Sequence, residues 1–273
     1  MIRSLATLGL VLLAARPAPA QAPAPIQDNS FLIEEAYNQE SGVVQHVSAF
    51  SLEDGGRAWT YGFTQEWPLF GRRHQASFTL PLQNGGDEFG SGVGVGDVAV
   101  HYRYQLAGVN GGPLAVAPRL SVLFPTGDVD NGHGAGGVAV QANLPVSLVL
   151  SPALVAHTNA GATLTPGARN PDGHEARTVG VNLGQSVVWL AHPKANLLLE
   201  AAWTRDEEVV DPDEAEAHDS FFLAPGARFA IDFPSGLQMV PGVAVPIGIG
   251  PSSGERGVFL YLSFEHPYGR PAR

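Results

Sequence analysis

Apolar and polar residues alternate along most of the chain. Within residues 97–106, Val98, Val100, Tyr102, Tyr104 and Leu106 share one parity, and Asp97, Ala99, His101, Arg103 and Gln105 share the other. Successive side chains of a strand point to opposite faces, so this segment has one apolar and one polar face. The same alternation returns from Leu114 to Phe124, from Val138 to Leu148, from Leu197 to Trp203 and from Phe221 to Ile231. About twelve such segments can be marked, each of roughly ten residues, the length a tilted strand needs to cross a bilayer. They predict strands over 43–52, 57–68, 73–83, 93–106, 113–124, 135–149, 152–164, 177–190, 194–204, 219–232, 236–248 and 256–265. In the first of these, Val43, Val44 and Val47 do not settle on one face.

Between the segments, short and long connections alternate. Those at 69–72, 107–112, 150–151, 191–193 and 233–235 are short, whereas 84–92, 125–134, 165–176 and 205–218 are longer and polar. Outer-membrane barrels have short periplasmic turns and longer external loops. The expected fold is therefore all-β, a closed antiparallel transmembrane β-barrel of about twelve strands with both termini on the periplasmic side. A soluble sandwich would also give many short strands, but its inner faces would be apolar; here charged residues recur at mid-strand on the less apolar face. Trp59, Tyr61, Trp67, Tyr102, Tyr104, Trp189, Trp203 and Phe264 fall near strand ends or on the apolar face, as in an interfacial girdle.

Composition narrows the class. Arg3, the apolar run at 5–15 and Ala18-Pro19-Ala20 read as a secretory signal over residues 1–20, with Gln21 as the expected mature N-terminus. Residues 21–41 then form a periplasmic N-terminal segment or a plug, 42–265 the barrel and 266–273 a tail. The net charge is -11 and the only lysine is Lys194, so no basic patch supports nucleic-acid binding. The chain has no cysteine, which excludes disulfides and thiolate chemistry. No cofactor or metal is expected, and the expected partners are outer-membrane lipids, the barrel-assembly machinery and a small-molecule solute. Glu255, Gly257, Leu260 and Leu262 resemble the C-terminal barrel-assembly signal, although the chain continues past Phe264.

Four runs carry a family resemblance: 94–101 (GVGDVAVH), 117–128 (APRLSVLFPTGD), 65–68 (QEWP) and 143–147 (NLPVS). They resemble the outer-membrane transporters grouped with the meta-pathway of phenol degradation, over most of the mature chain. The resemblance implies passage of small, often hydrophobic, compounds across the outer membrane.

Candidate chemistry lies on the polar parity. Glu66, Asp97, His101, Arg103, Arg119, His157, Glu200, Arg228 and Glu265 are expected to face the lumen. They would form either a selectivity constriction or an ion-pair network that fills the barrel. Residues 31–40 could form a short helix that plugs the lumen, or a periplasmic tail. The acidic run at 206–219 reads as a solvated loop without metal-ligand spacing. Gly132-His133-Gly134-Ala135-Gly136-Gly137 satisfies a dinucleotide fingerprint only literally, because a strand follows it instead of a helix. The run 157–161 is faintly similar to twelve-stranded outer-membrane phospholipases, but position 159 is asparagine where they carry the nucleophilic serine. No catalytic residue and no enzyme activity are expected. The leading functional expectation is a passive channel or facilitator, with a closed-lumen structural barrel as its rival and a lipid hydrolase as a distant third.

Overall fold

The computed structural model describes residue 26 and residues 28–53, 58–85 and 92–268. The signal sequence expected over 1–20 lies outside them, as do residues 266–273 beyond Tyr268. Sixteen strand segments form one antiparallel sheet that closes on itself. Four are short pieces, Gly94–Val95, Leu114–Val116, Ile231–Asp232 and Ile247–Gly248. The remaining twelve are the staves of the barrel. They are β1 (Val43–Glu53), β2 (Trp59–Leu69), β3 (His74–Asn84), β4 (Val98–Tyr104), β5 (Arg119–Phe124) and β6 (Ala139–Ser151). The second half has β7 (Leu154–Arg169), β8 (Glu175–His192), β9 (Ala195–Asp211), β10 (Glu214–Phe229), β11 (Gln238–Ala244) and β12 (Gly257–Pro267).

Each stave pairs with its sequence neighbour, and β1 pairs with β12 from Val43↔Pro267 to Glu53↔Gly257, which closes the wall. Prolines interrupt the β10–β11 seam, yet the ladder holds its register from Arg228↔Gly242 to Phe222↔Gly248. Closure satisfies the strand edges internally, the condition for a sheet in lipid.

The outer face is apolar as the alternation requires. Leu120 is 60% exposed and Leu199 54%, while the residues that follow them in the chain, Ser121 and Glu200, are buried. Burying such leucines in lipid rather than water gains roughly 1.5–3 kcal/mol each. Toward the short-turn end the outer face is aromatic. Trp67 lies 5.5 Å from Phe78, and His74 packs against Tyr102 and Tyr104.

Two connections differ from the sequence reading. Residues 165–176 and 205–218 are not loops. β7 and β8 run on to a tip at 170–174, and β9 and β10 run on to a tight turn at Asp213, whose φ is 62°. At about 3.3 Å per residue these staves reach about 55 Å, longer than the roughly 30 Å hydrocarbon core. Beyond the bilayer both strand faces are wet, so charges on both parities no longer break a strand. Asp213 N–H donates to Glu175 O at 2.8 Å, tying the two tips together.

Candidate luminal site

Residues 28–40 lie inside the barrel. They adopt no helix, contrary to one sequence expectation, but an irregular path, bent at 31–33 and at Ala36, that passes along the wall from stave to stave. The wall binds this path through main-chain groups. The N–H groups of Leu32 and Ile33 donate to Glu200 Oε2 and Oε1 at 3.0 and 3.2 Å. Asn159 makes a reciprocal pair with Glu34, accepting its N–H and donating to its carbonyl, both at 2.8 Å. Ala36 N–H donates to Ser147 Oγ at 2.8 Å, and Gln39 N–H to Gln75 Oε1 at 2.7 Å. Gln105 accepts from Asn38 N–H at 2.8 Å and donates to Ala36 O at 2.6 Å. Backbone outside helix and sheet and buried away from water must find such partners or lose the desolvation cost of each group.

Charge pairs lock the path at both ends. Arg228 donates to Asn29 O at 2.7 Å, to Asp28 O, and to Glu35 Oε1 at 3.1 Å. The Asp28 carboxylate accepts from Tyr261 Oη and Gln45 Nε2, both at 2.6 Å, and from Ser263. Arg103 donates to Tyr37 O at 2.6 Å and pairs with Glu34 Oε1 at 2.9 Å. Arg119 Nε lies 3.4 Å from Glu34 Oε2. Among the described residues at this level, the acidic side chains Asp28, Glu34, Glu35, Glu66 and Glu200 face the guanidiniums Arg103, Arg119 and Arg228, and Glu265 bonds Gln39. Burial pushes the Glu35 carboxyl up to about 7, against the pull of Arg228 and with the push of Asp28. Burial also raises Glu34, but Arg119, Arg103 and Asn143 outweigh it and hold that carboxyl below its usual range.

The nine sequence candidates divide by contact. Arg103, Arg119, His157, Glu200, Arg228 and Glu265 interact with the luminal segment. Glu66 accepts from Gln75 at 2.8 Å and sits 3.9 Å from Arg103. His101 stays within the wall, bonded to Thr79 Oγ1 at 3.0 Å and Ser121 Oγ at 2.7 Å. Asp97 does not join the cluster. Its carboxylate accepts from Gly127 N–H at 3.0 Å and Ala135 N–H at 2.7 Å, folding the external connection over 125–136. Gly132, Gly134 and Gly136 all have positive φ in that connection, which accounts for the glycine spacing without a dinucleotide. The sequence reading missed the uncharged binders Gln75, Gln105, Ser147 and Asn159, which share the main-chain contacts with Glu200, Arg103 and Arg228. They stand on the same inward parity as the charges, and that parity was the available signal.

The lumen is not polar throughout. Ile26 and Phe31 pack with Val47, Val188, Leu198, Val240 and Phe259 in one buried apolar cluster. This explains the unsettled first strand: Val47 faces inward against that cluster instead of outward to lipid. On the external side a cavity of about 330 Å³ remains, bounded by Leu32 and Glu34 and by Arg119, Asn143, Asn182 and Thr204 of the wall.

Ser147 Oγ lies 2.7 Å from His157 Nδ1, and His157 Nε2 lies 3.5 Å from Glu35 Oε1. The order matches a hydrolase triad, but Ser147 is fully buried and already accepts Ala36 N–H. Moving the segment to uncover the hydroxyl would carry Glu35 away with it. The contact therefore serves the seating of the segment. The acidic hairpin places Glu207 Oε2 on Val179 N–H at 2.8 Å and Asp219 on Arg205 at 2.9 Å. Among the described residues no group of three or more acidic or histidine side chains converges as a metal site.

No protein-family model matches the chain, and no curated protein sequence does. Solved structures do match in fold. An outer-membrane channel from Pseudomonas putida F1 superposes with a TM-score of 0.64 at 14% identity, over 85% of this chain and 98% of that one. The NanC porin superposes with a TM-score of 0.53 at 10% identity, over 82% of this chain and all of that one. The fold is that of outer-membrane β-barrel channels.

Proposed function

We propose that the chain is an outer-membrane channel for small molecules, held closed by its own N-terminal segment. The observation that carries this reading is the way residues 28–40 are bound. The wall holds them by hydrogen bonds and ion pairs, contacts that water can replace when the segment moves. A selectivity role follows for Glu66, Arg103, Arg119, Glu200, Arg228 and Glu265, which would line the passage once the segment shifts. Asp97 and His101 would act at the rim and in the wall.

The resemblance to transporters associated with phenol degradation points to small aromatic solutes. The polar wall at the level of the segment favours solutes able to hydrogen bond, and a phenol meets that condition once. A closed structural barrel is the competing reading, favoured by the apolar cluster around Phe31. Solute-driven swelling of liposomes containing the refolded chain tests the two. A channel admits small solutes at a rate that Arg119→Ala changes, more for charged than for neutral solutes. A structural barrel gives no swelling above empty liposomes with either chain.

A further inference from the structure

We infer that the lumen is a binding site for polypeptide main chain, and that short oligopeptides are a solute class that competes with the N-terminal segment for it. This rests on the channel reading and names a ligand class for the same site. Five wall side chains take the segment by groups that every peptide possesses. Glu200 accepts two successive N–H groups, those of Leu32 and Ile33. Asn159 accepts and donates to one residue, Glu34, as a neighbouring strand would. Gln105 bridges Ala36 O and Asn38 N–H. Gln75 and Ser147 accept one N–H each. None of these bonds involves a side chain of the segment, so none reads its sequence.

The ligand class follows from the wall chemistry. Its groups combine acceptors for N–H with donors for carbonyls, and two of them, Asn159 and Gln105, offer both. Main chain supplies a donor and an acceptor with every residue, about every 3.3 Å. A phenol supplies one hydroxyl and would leave most of these buried groups unpaired, the situation that gives hydrogen-bonding sites their selectivity. The cavity on the external side ends on Leu32 and Glu34, so a solute entering there meets the wall at Asn159, one of the side chains that hold the segment.

The test uses the full chain in detergent micelles and acetylated tetra-alanine amide as the probe. A glutamate-specific protease reports displacement of the segment by cleavage after Glu34 and Glu35. The peptide is expected to raise the cleavage rate saturably, at least fivefold. Its fully N-methylated analogue, which has no N–H to offer Glu200, Asn159 and Gln105, and sucrose are expected to have no effect. Saturation-transfer NMR should show the peptide bound, with at least tenfold weaker binding in Asn159→Leu. Gln75→Leu serves as a second variant if the first does not give the heat-modifiable folded band. An N-methylated peptide as effective as the parent, sucrose as effective as the peptide, or no binding of the peptide would each overturn the inference. Liposome swelling without peptide binding would overturn it while leaving the channel reading intact. Peptide binding without swelling would support it and count only against passage.

Discussion

The guanidinium of Arg228, on β10, donates to Glu35 Oε1 at 3.1 Å, joining the barrel wall to a residue 193 positions earlier in the chain. Arg228 is 1% exposed, and it also holds the carbonyls of Asp28 and Asn29. Removing one partner of a buried pair leaves the other charge uncompensated, at about 3–5 kcal/mol. Arg228→Ala is therefore expected to lower the unfolding temperature of the barrel in detergent, read from the heat-modifiable band on gels. Glu35→Ala in the same background should recover part of the loss. An unchanged unfolding temperature would mean that the segment contributes nothing to barrel stability.

The seating of the segment should depend on pH through Glu35. Its carboxyl is raised to about 7, first by burial, with Arg228 opposing and Asp28 reinforcing the shift. A raised acid binds its proton more tightly when seated. Its contribution is complete below the ordinary value of 4.5 and is lost as pH rises through about 7. Glu34 is lowered, so its contribution is complete above the ordinary range and is lost only on acidification. Open probability should thus be higher at pH 8 than at pH 5.5, and Glu35→Gln should flatten that dependence. An equally steep profile in Glu35→Gln would remove this residue from the account.

Arg119 sits at the boundary between the segment and the external cavity, 3.4 Å from Glu34 and 2.8 Å from Gln141. Arg119→Ala removes a cation and leaves Glu34 to Arg103 and Asn143. Reversal-potential measurements across a salt gradient should shift toward cation preference. A reversal potential identical to that of the parent chain would place the selecting charges elsewhere.

Asp97 gathers two main-chain N–H groups of the 125–136 connection. Hydrogen bonds to a charged acceptor contribute about 1.5–3 kcal/mol, so Asp97→Ala should loosen this connection locally. Hydrogen exchange at Gly127 and Ala135 should speed up at least tenfold, with no change at Leu32 or Glu34. Faster exchange in the segment as well would show that the external connection helps to hold it.

The barrel was legible because lipid and lumen impose opposite chemistry on alternate residues of the same strand. Val100, Leu120 and Leu199 show this parity directly. The hairpin at 205–218 was not legible as strand, because Asp206, Glu207 and Glu208 stand beyond the bilayer where both faces meet water. The charged members of the luminal site stood out at mid-strand for the cost of burying them. Gln75, Gln105, Ser147 and Asn159 did not, since neutral polar residues are common on a wetted lumen. Only the path of residues 28–40 distinguishes them. The irregular form of that path was hidden too, because its partners lie on staves far apart in sequence.

Gly184 gives the most direct measurement. A Cβ at this inward position on β8 would overlap Ile33 Cδ1 of the segment. Gly184→Leu should therefore unseat the segment while leaving the wall ladder intact. In planar bilayers the parent chain is expected to be closed for most of a recording, with brief openings, and Gly184→Leu to show long-lived conductance steps. A folded and inserted Gly184→Leu chain that stays as silent as the parent would contradict the claim that residues 28–40 close a channel.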